Sequence, residues 1–516
     1  MVDKGLKFLK QKKTAALFAV LLLIFELKFL KDVFATKSMT PFYGAMVVAS
    51  TLFLTVVFAV VYVFAFIKEL RLERFFCFLG VSFGIFYLFM IPIYCVPDEQ
   101  VHYFSAYAVS NEMLGIVEEP SNGILLRADD CNQPINVQAY TQTDFQTDYM
   151  RLFSKAENEE LVQSSYMPLD TPNYQYYLPA IGITIGRLFH LSTITTFMFG
   201  RVANLLLFLG AVTLAIRITP IGKQLIFVLG LMPMTMQQAA SYSYDAFINA
   251  FAFLSFAALL RIIYTKEEKN GKWEYPVFLL LCVLLLPTKH FSYFPLPFLM
   301  VPFLFSKKTD KKKKRVLMII LAILLVSVAV INGLGYLGEV NEIADETTNY
   351  IAWAGEEGYT IGYFLQNPLE LIKIAYNTLR NNLLWYLESF AGGHLGWLIY
   401  HIPNYKIWAL LFMVVFATVQ RKSETVEMSG AVRVYYLVSA LLCCAFAFAG
   451  MLFAWTPISS TIILGVQGRY FIPAAPAGMI AFKDKRIRID DRWDKIFLMA
   501  YVFILFSIAK SLLHCF

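Results

Sequence analysis

Acid–base chemistry is concentrated in one stretch of the chain, Cys95-Val96-Pro97-Asp98-Glu99-Gln100-Val101-His102-Tyr103-Phe104, which follows an apolar run ending near Tyr94. Two carboxylates and an imidazole at the mouth of a hydrophobic segment are costly to hold there without a purpose. Asp98 stands four residues before His102, so on a helix the two share a face. A carboxylate there can take a proton from an attacking hydroxyl. With His102 it could also hold a divalent cation, Mg or Mn. The plain alternative is that Asp98 caps an interfacial helix while Glu99 answers the positive helix end. Spacing leaves both readings open.

Other groups could serve the same chemistry. Lys289, in Leu286-Pro287-Thr288-Lys289-His290, ends a short apolar run. A lysine at a lipid–water boundary can bind a lipid phosphate, or it can simply snorkel. Arg469 and Tyr470 open another apolar run in Gly465-Val466-Gln467-Gly468-Arg469-Tyr470-Phe471-Ile472-Pro473. The planar guanidinium suits phosphate or carboxylate, and a salt bridge to one of the many acids serves equally. Arg201, Asn204 and Asp245 sit near the starts of apolar runs. Polar groups there either line a functional cavity or join helices. Glu26 and Lys28 read as a structural pair or as snorkelling groups. Asp144, Asp148, Trp385, Glu388 and His394 could line a groove for an acceptor, but nothing singles them out.

The elements that must position these groups are membrane-spanning helices. Of 516 residues, 58% are hydrophobic and 16% charged, against roughly 45–50% and about 25% in soluble domains. Apolar runs of near 20 residues recur, and lipid demands that they close their hydrogen bonds as helices. The short alternating strands of a membrane barrel are absent. The fold class is an all-α polytopic membrane protein. A net charge of +7 does not imply a nucleic-acid partner, because the basic residues cluster in short loops as they do on a cytoplasmic side. Seven cysteines lack metal or redox spacing; Cys95 and Cys131 could form a disulfide in an oxidising compartment. The first apolar run lacks a small-x-small cleavage site and is expected to stay as an anchor.

Counting sides gives a topology with about 13 spans. Residues 14–33 and 42–67 form a transmembrane hairpin within 1–70, its basic N-terminus cytoplasmic. A core over 75–516 begins with an outward run, 75–94, which puts Asp98 and Glu99 outside. Further spans are expected at 196–218, 224–240, 242–264, 275–287, 291–305, 316–334, 405–419, 435–455, 470–482 and 496–513. Cytoplasmic turns carry Lys68 to Arg74, 266–272, 307–315 and 483–492. Two large external loops remain, about 95–197 and 335–404, with 13 and eight acidic residues. Loops this long are usually functional. Residues 174–192 and 361–390 have the pattern of interfacial helices.

Taken together, Pro97-Asp98-Glu99-x-x-His102-Tyr-Phe104, Tyr174-x-x-Tyr177-Leu-Pro179, Arg201-x-x-Asn204, Leu231 to Asp245, and Gly465 to Pro473 resemble a bacterial predicted-membrane-protein family of unknown function. That family is similar to the GT-C superfamily of integral-membrane glycosyltransferases, which includes protein mannosyltransferases and lipid A aminoarabinose transferases. The resemblance implies transfer of a sugar from a polyprenyl-phosphate carrier to a cell-surface glycan, outside the plasma membrane. It implies Asp98 as general base, assisted by Glu99 or His102, and Lys289, Arg469 and Tyr470 at the donor phosphate. His102, Arg201, Asn204, Asp245 and Tyr177 would support the cavity. A polysaccharide polymerase or ligase is a related reading. A transporter or flippase of lipid-linked sugars is the rival from another class; it should show internal repeats and ionisable groups near the midplane, whereas the groups here lie near the outer ends of spans.

Overall fold

The computed structural model of the protein describes residues 2–36, 38–66, 70–117, 123–135, 137, 140–265, 273–339 and 349–515. Lys68, the turn 266–272, and the acids Glu118, Glu119, Glu342, Asp345 and Glu346 lie outside the described residues, as do the side chains of 2–16, 18, 66 and 332–339.

Apolar length decides the architecture. Among the described residues seven helices are long and apolar enough to cross a membrane: Pro41–Ala65, Leu72–Met90, Thr193–Ile218, Asp245–Tyr264, Lys311–Ile331, Gly430–Trp455 and Asp491–Leu512. The helix Val2–Thr36 contains the first expected span. The remaining expected spans are short or broken. Residues 224–240 split into Lys223–Leu231 and Pro233–Ala239, because Met232 precedes a proline and leaves the helical region. Prolines at 287, 295, 297 and 302 likewise interrupt the pair 275–287 and 291–305. What forms there is the helix Glu274–Leu285, a turn, the 3-10 segment Leu296–Met300, and Val301–Phe305. Residues 405–419 give the 14-residue helix Asn404–Ala417, and 470–482 give only Gly468–Phe471 and Ala475–Ile480.

The helix Asp245–Tyr264 is the axis, with 83% of its apolar window buried against 17% for Lys311–Ile331. Around it the main core joins Leu79, Phe227, Phe253, Phe278 and Tyr501 from five helices. The N-terminal hairpin is not detached: Lys510 pairs with Glu26 and sits 4.3–4.6 Å from the ring centroids of Phe25, Phe29 and Phe506. Glu26 therefore pairs with Lys510 rather than with Lys28.

The stretch 95–197 is a packed lobe. It contains the helices Glu99–Met113, Gln142–Met150 and Tyr177–Leu188, and the antiparallel strands Leu125–Arg127 and Leu161–Gln163. Tyr177–Leu188 lies against Thr193–Ile218 closely enough that a Cβ on Gly182 would stand 2.5 Å from the Phe199 carbonyl oxygen. Its Arg187, expected at an interface, is buried and donates to Asn111 Oδ1 at 2.7 Å and Ser110 Oγ at 3.1 Å. The opposite face, with Leu178, Ile181, Ile185 and Leu188, is exposed, so the amphipathic pattern is present. Pro368–Ala391, in the second region, exposes Leu369, Ile372, Tyr376 and Leu383 in the same manner. Cys95 and Cys131 form no disulfide; they pack against different clusters.

Candidate functional site

The helix Leu72–Met90 stops at Ile91, held extended by Pro92. The chain then turns tightly to begin Glu99–Met113 at Asp98. Asp98 adopts φ +63°, the left-handed region that a non-glycine residue rarely visits, and its side chain makes no capping bond. The capping explanation therefore fails. The carboxylate, 54% exposed, instead meets Arg469, with Oδ2 to Nη2 at 2.9 Å.

Glu99 has the opposite surroundings. It is fully buried, and its oxygens accept from Arg201 Nε at 2.8 Å and Nη2 at 2.6 Å, and from the Tyr242 backbone N–H at 3.2 Å. Arg201 also donates to the carbonyls of Ile91 at 2.7 Å and Pro92 at 2.8 Å. This network ties three segments together and fixes the turn that presents Asp98. Neither Glu99 nor Arg201 lines the cavity beside Asp98, and Asn204, donating to the Ser241 carbonyl at 2.9 Å, also lies outside it.

That cavity, of about 160 Å3, gathers Asp98, His102, Asp245, Lys289 and Arg469, with the rings of Tyr244 and Tyr470 and the side chains of Val101 and Leu169. Asp245, at the start of the central helix, forms ion pairs with Lys289 at 2.5 Å and Arg469 at 3.5 Å. Lys289 does not snorkel: its side chain is only 12% exposed and lies 3.9 Å from the Tyr470 ring centroid and 5.3 Å from that of Tyr244. It heads three consecutive left-handed residues, Lys289, His290 and Phe291, at φ 45°, 49° and 62°. Each costs about 1–2 kcal/mol, so the turn is held by its surroundings. Burial pushes the Lys289 ammonium down to about 8, against the pull of Asp245. Arg469 keeps its Nε buried without a partner. His102 bonds Tyr176 Oη through Nδ1 at 2.8 Å, and its ring lies 4.5 Å from Tyr244. Burial pushes its imidazole down to about 4, so it is neutral at neutral pH.

Tyr177, expected in this cavity, is 49% exposed, and its neighbour Tyr176 is the buried one that meets His102. Val101, Leu169 and Tyr244 complete the lining beyond the residues the sequence singles out; Val101 and Tyr244 lie within the 97–104 and 231–245 motifs, whereas Leu169 carries no sequence signal. The donor set does not suit a divalent cation at Asp98 and His102. Asp98 and Asp245 are already neutralised by Arg469 and Lys289, His102 Nδ1 is taken by Tyr176, and no cluster of three metal-binding side chains occurs among the described residues. Of the other acceptor-groove candidates, Asp144 closes a capping box with Thr141, and Glu388 lies 3.5 Å from His394.

Long apolar helices around a buried axis, with a charged cavity at one end, define a multi-span helical membrane protein. The chain belongs to the family described as Predicted membrane protein (DUF2142), whose profile matches residues 79–477. No curated protein and no solved structure matches it.

Proposed function

We propose that the protein is a glycosyltransferase of the plasma membrane, with its N-terminus cytoplasmic and the Asp98 cavity on the outer side. It moves a sugar from a polyprenyl-phosphate carrier to a cell-surface glycan. The reading is supported by one arrangement above others: a half-exposed carboxylate, Asp98, beside two cations, the buried Arg469 and the largely enclosed Lys289. Asp98 takes the proton of the acceptor hydroxyl, whose oxygen attacks the anomeric carbon. The bond from that carbon to the phosphate oxygen breaks, and the carrier phosphate leaves with the electron pair. Arg469 and Lys289 neutralise it as it departs. The lipid tail stays in the bilayer, which accounts for a membrane-embedded enzyme.

The cavity falls below the roughly 300 Å3 at which small-molecule pockets begin, so donor binding must open it. An incoming phosphate competes with Asp98 for Arg469, and its arrival frees Asp98 to act as base. The test is sugar transfer by the purified full chain with a defined polyprenyl-phosphate donor, together with the envelope glycan of cells carrying variants. Asp98→Asn is expected to abolish transfer at normal protein levels while donor binding persists. Arg469→Ala is expected to weaken donor binding. Unchanged transfer in the first variant, or unchanged donor affinity in the second, removes the corresponding role.

A further inference from the structure

A second cavity, of about 860 Å3, is five times the volume of the one at Asp98. The central helix runs between them, with Asp245 lining one and Tyr264 the other. Its 20 residues separate the two by about 30 Å. The second cavity therefore lies at the opposite end of the bundle, against the 307–315 and 483–492 segments.

Seven cations line it against three carboxylates, Asp310, Glu427 and Asp484. Five of the seven are engaged: Lys483 with Glu424, Lys485 with Glu427, Arg433 and Arg486 with Asp484, and Lys313 with the carbonyls of Ile263 and Thr265. Lys307 and Lys308 have no acidic partner among the described residues. The start of Gly430–Trp455, capped by Ser429, adds the positive end of a helix to the same wall. Ile221, Ile263, Phe303 and Val432 supply apolar wall. A cytoplasmic flank that merely follows the positive-inside tendency needs lysines near the headgroups but no concavity to hold one. Here two lysines without an acidic partner among the described residues share a single large hollow with an apolar wall.

We propose that this hollow binds the phosphate of an anionic amphiphile, with Lys307 and Lys308 on the phosphate and the apolar wall against the chains. The full chain in neutral detergent is titrated with short-chain phosphatidylglycerol, short-chain phosphatidylcholine and inorganic phosphate at fixed ionic strength. Binding is read by native mass spectrometry and by the thermal unfolding midpoint. Phosphatidylglycerol is expected to bind roughly tenfold or more tightly than phosphatidylcholine, and the double variant K307E/K308E to lose that margin. The double variant K314E/R315E, on the same basic flank but not lining the cavity, is expected to keep it. Inorganic phosphate binding as tightly as phosphatidylglycerol overturns the lipid and makes a soluble phosphate compound the ligand. Equal binding of both lipids, or equal loss in both double variants, overturns the site, because either result reflects only the general charge of that flank. Sugar transfer does not enter any arm, so the outcome is independent of the role proposed for Asp98.

Discussion

Asp98 and Glu99 are adjacent, alike in charge, and opposite in circumstance. Glu99 is buried in a bidentate pair with Arg201, and Asp98 is half exposed in a strained backbone conformation. Glu99→Gln leaves a buried guanidinium without its counter-charge, which costs about 3–5 kcal/mol. A large fall in the unfolding midpoint is the expected result, whereas Asp98→Asn should barely move it. His102 supplies a pH dependence. Its folded value, about 4, lies below the unfolded value of about 6.5. The unfolded chain therefore binds the extra proton between those values, and stability is lost as the pH falls from about 6.5 toward 4, by up to about 3 kcal/mol. A His102→Gln variant should show a flatter stability profile across that window. Residue types and local spacing marked Asp98, Lys289, Asp245 and Arg469, which meet His102 and Tyr470 in one cavity, but left a structural alternative open for each. They could not reveal that Glu99 is taken by Arg201, 102 positions away. Nor could they separate Tyr176 from Tyr177, since which of two neighbouring rings turns inward depends on the helix start between them.

Among the elements, the segment Gly468–Phe471 matters more to the cavity than its length suggests. A Cβ on Gly468 would lie 2.2 Å from both the Phe390 nitrogen and the Tyr386 carbonyl oxygen, backbone atoms that cannot swing aside. The Gly468 N–H also donates to Ser389 Oγ at 3.0 Å. Gly468→Ala should push the segment off Pro368–Ala391 and move Arg469 with it. A lower unfolding midpoint together with weakened donor binding is expected; normal values of both would show that the contact is soft. Hydrophobic runs were a sound guide to the long helices. They overstated 224–240 and 470–482 because hydropathy registers apolar content but not interruption. Met232 before Pro233, and a short helix after a 3-10 turn, stay apolar while ceasing to be continuous.

At the scale of the molecule, the N-terminal hairpin is held to the C-terminal helix by Lys510, enclosed by three phenyl rings and paired with Glu26. Lys510→Ala strands Glu26 in an apolar environment, at about 3–5 kcal/mol. Faster proteolysis of the Val2–Thr36 helix in the folded chain should report the release, with sugar transfer retained. The pairing of helices so distant in sequence was not legible from composition, which reads each span alone. The cavity is likewise assembled from four distant places, Asp98, Asp245, Lys289 and Arg469. This imposes an order in time. During synthesis Asp98 emerges first, and its counter-ion Arg469 follows 371 residues later. Until then the turn that carries Asp98 is held by the Glu99–Arg201 network and by its own backbone bonds, such as Glu99 N–H to the Val96 carbonyl at 3.0 Å. A chain arrested before Gly468 can insert most of its helices and still leave Asp98 without Arg469, with Lys289 as the one cation of the cavity already made. The full charge constellation of the cavity is therefore complete only once Arg469 has been made.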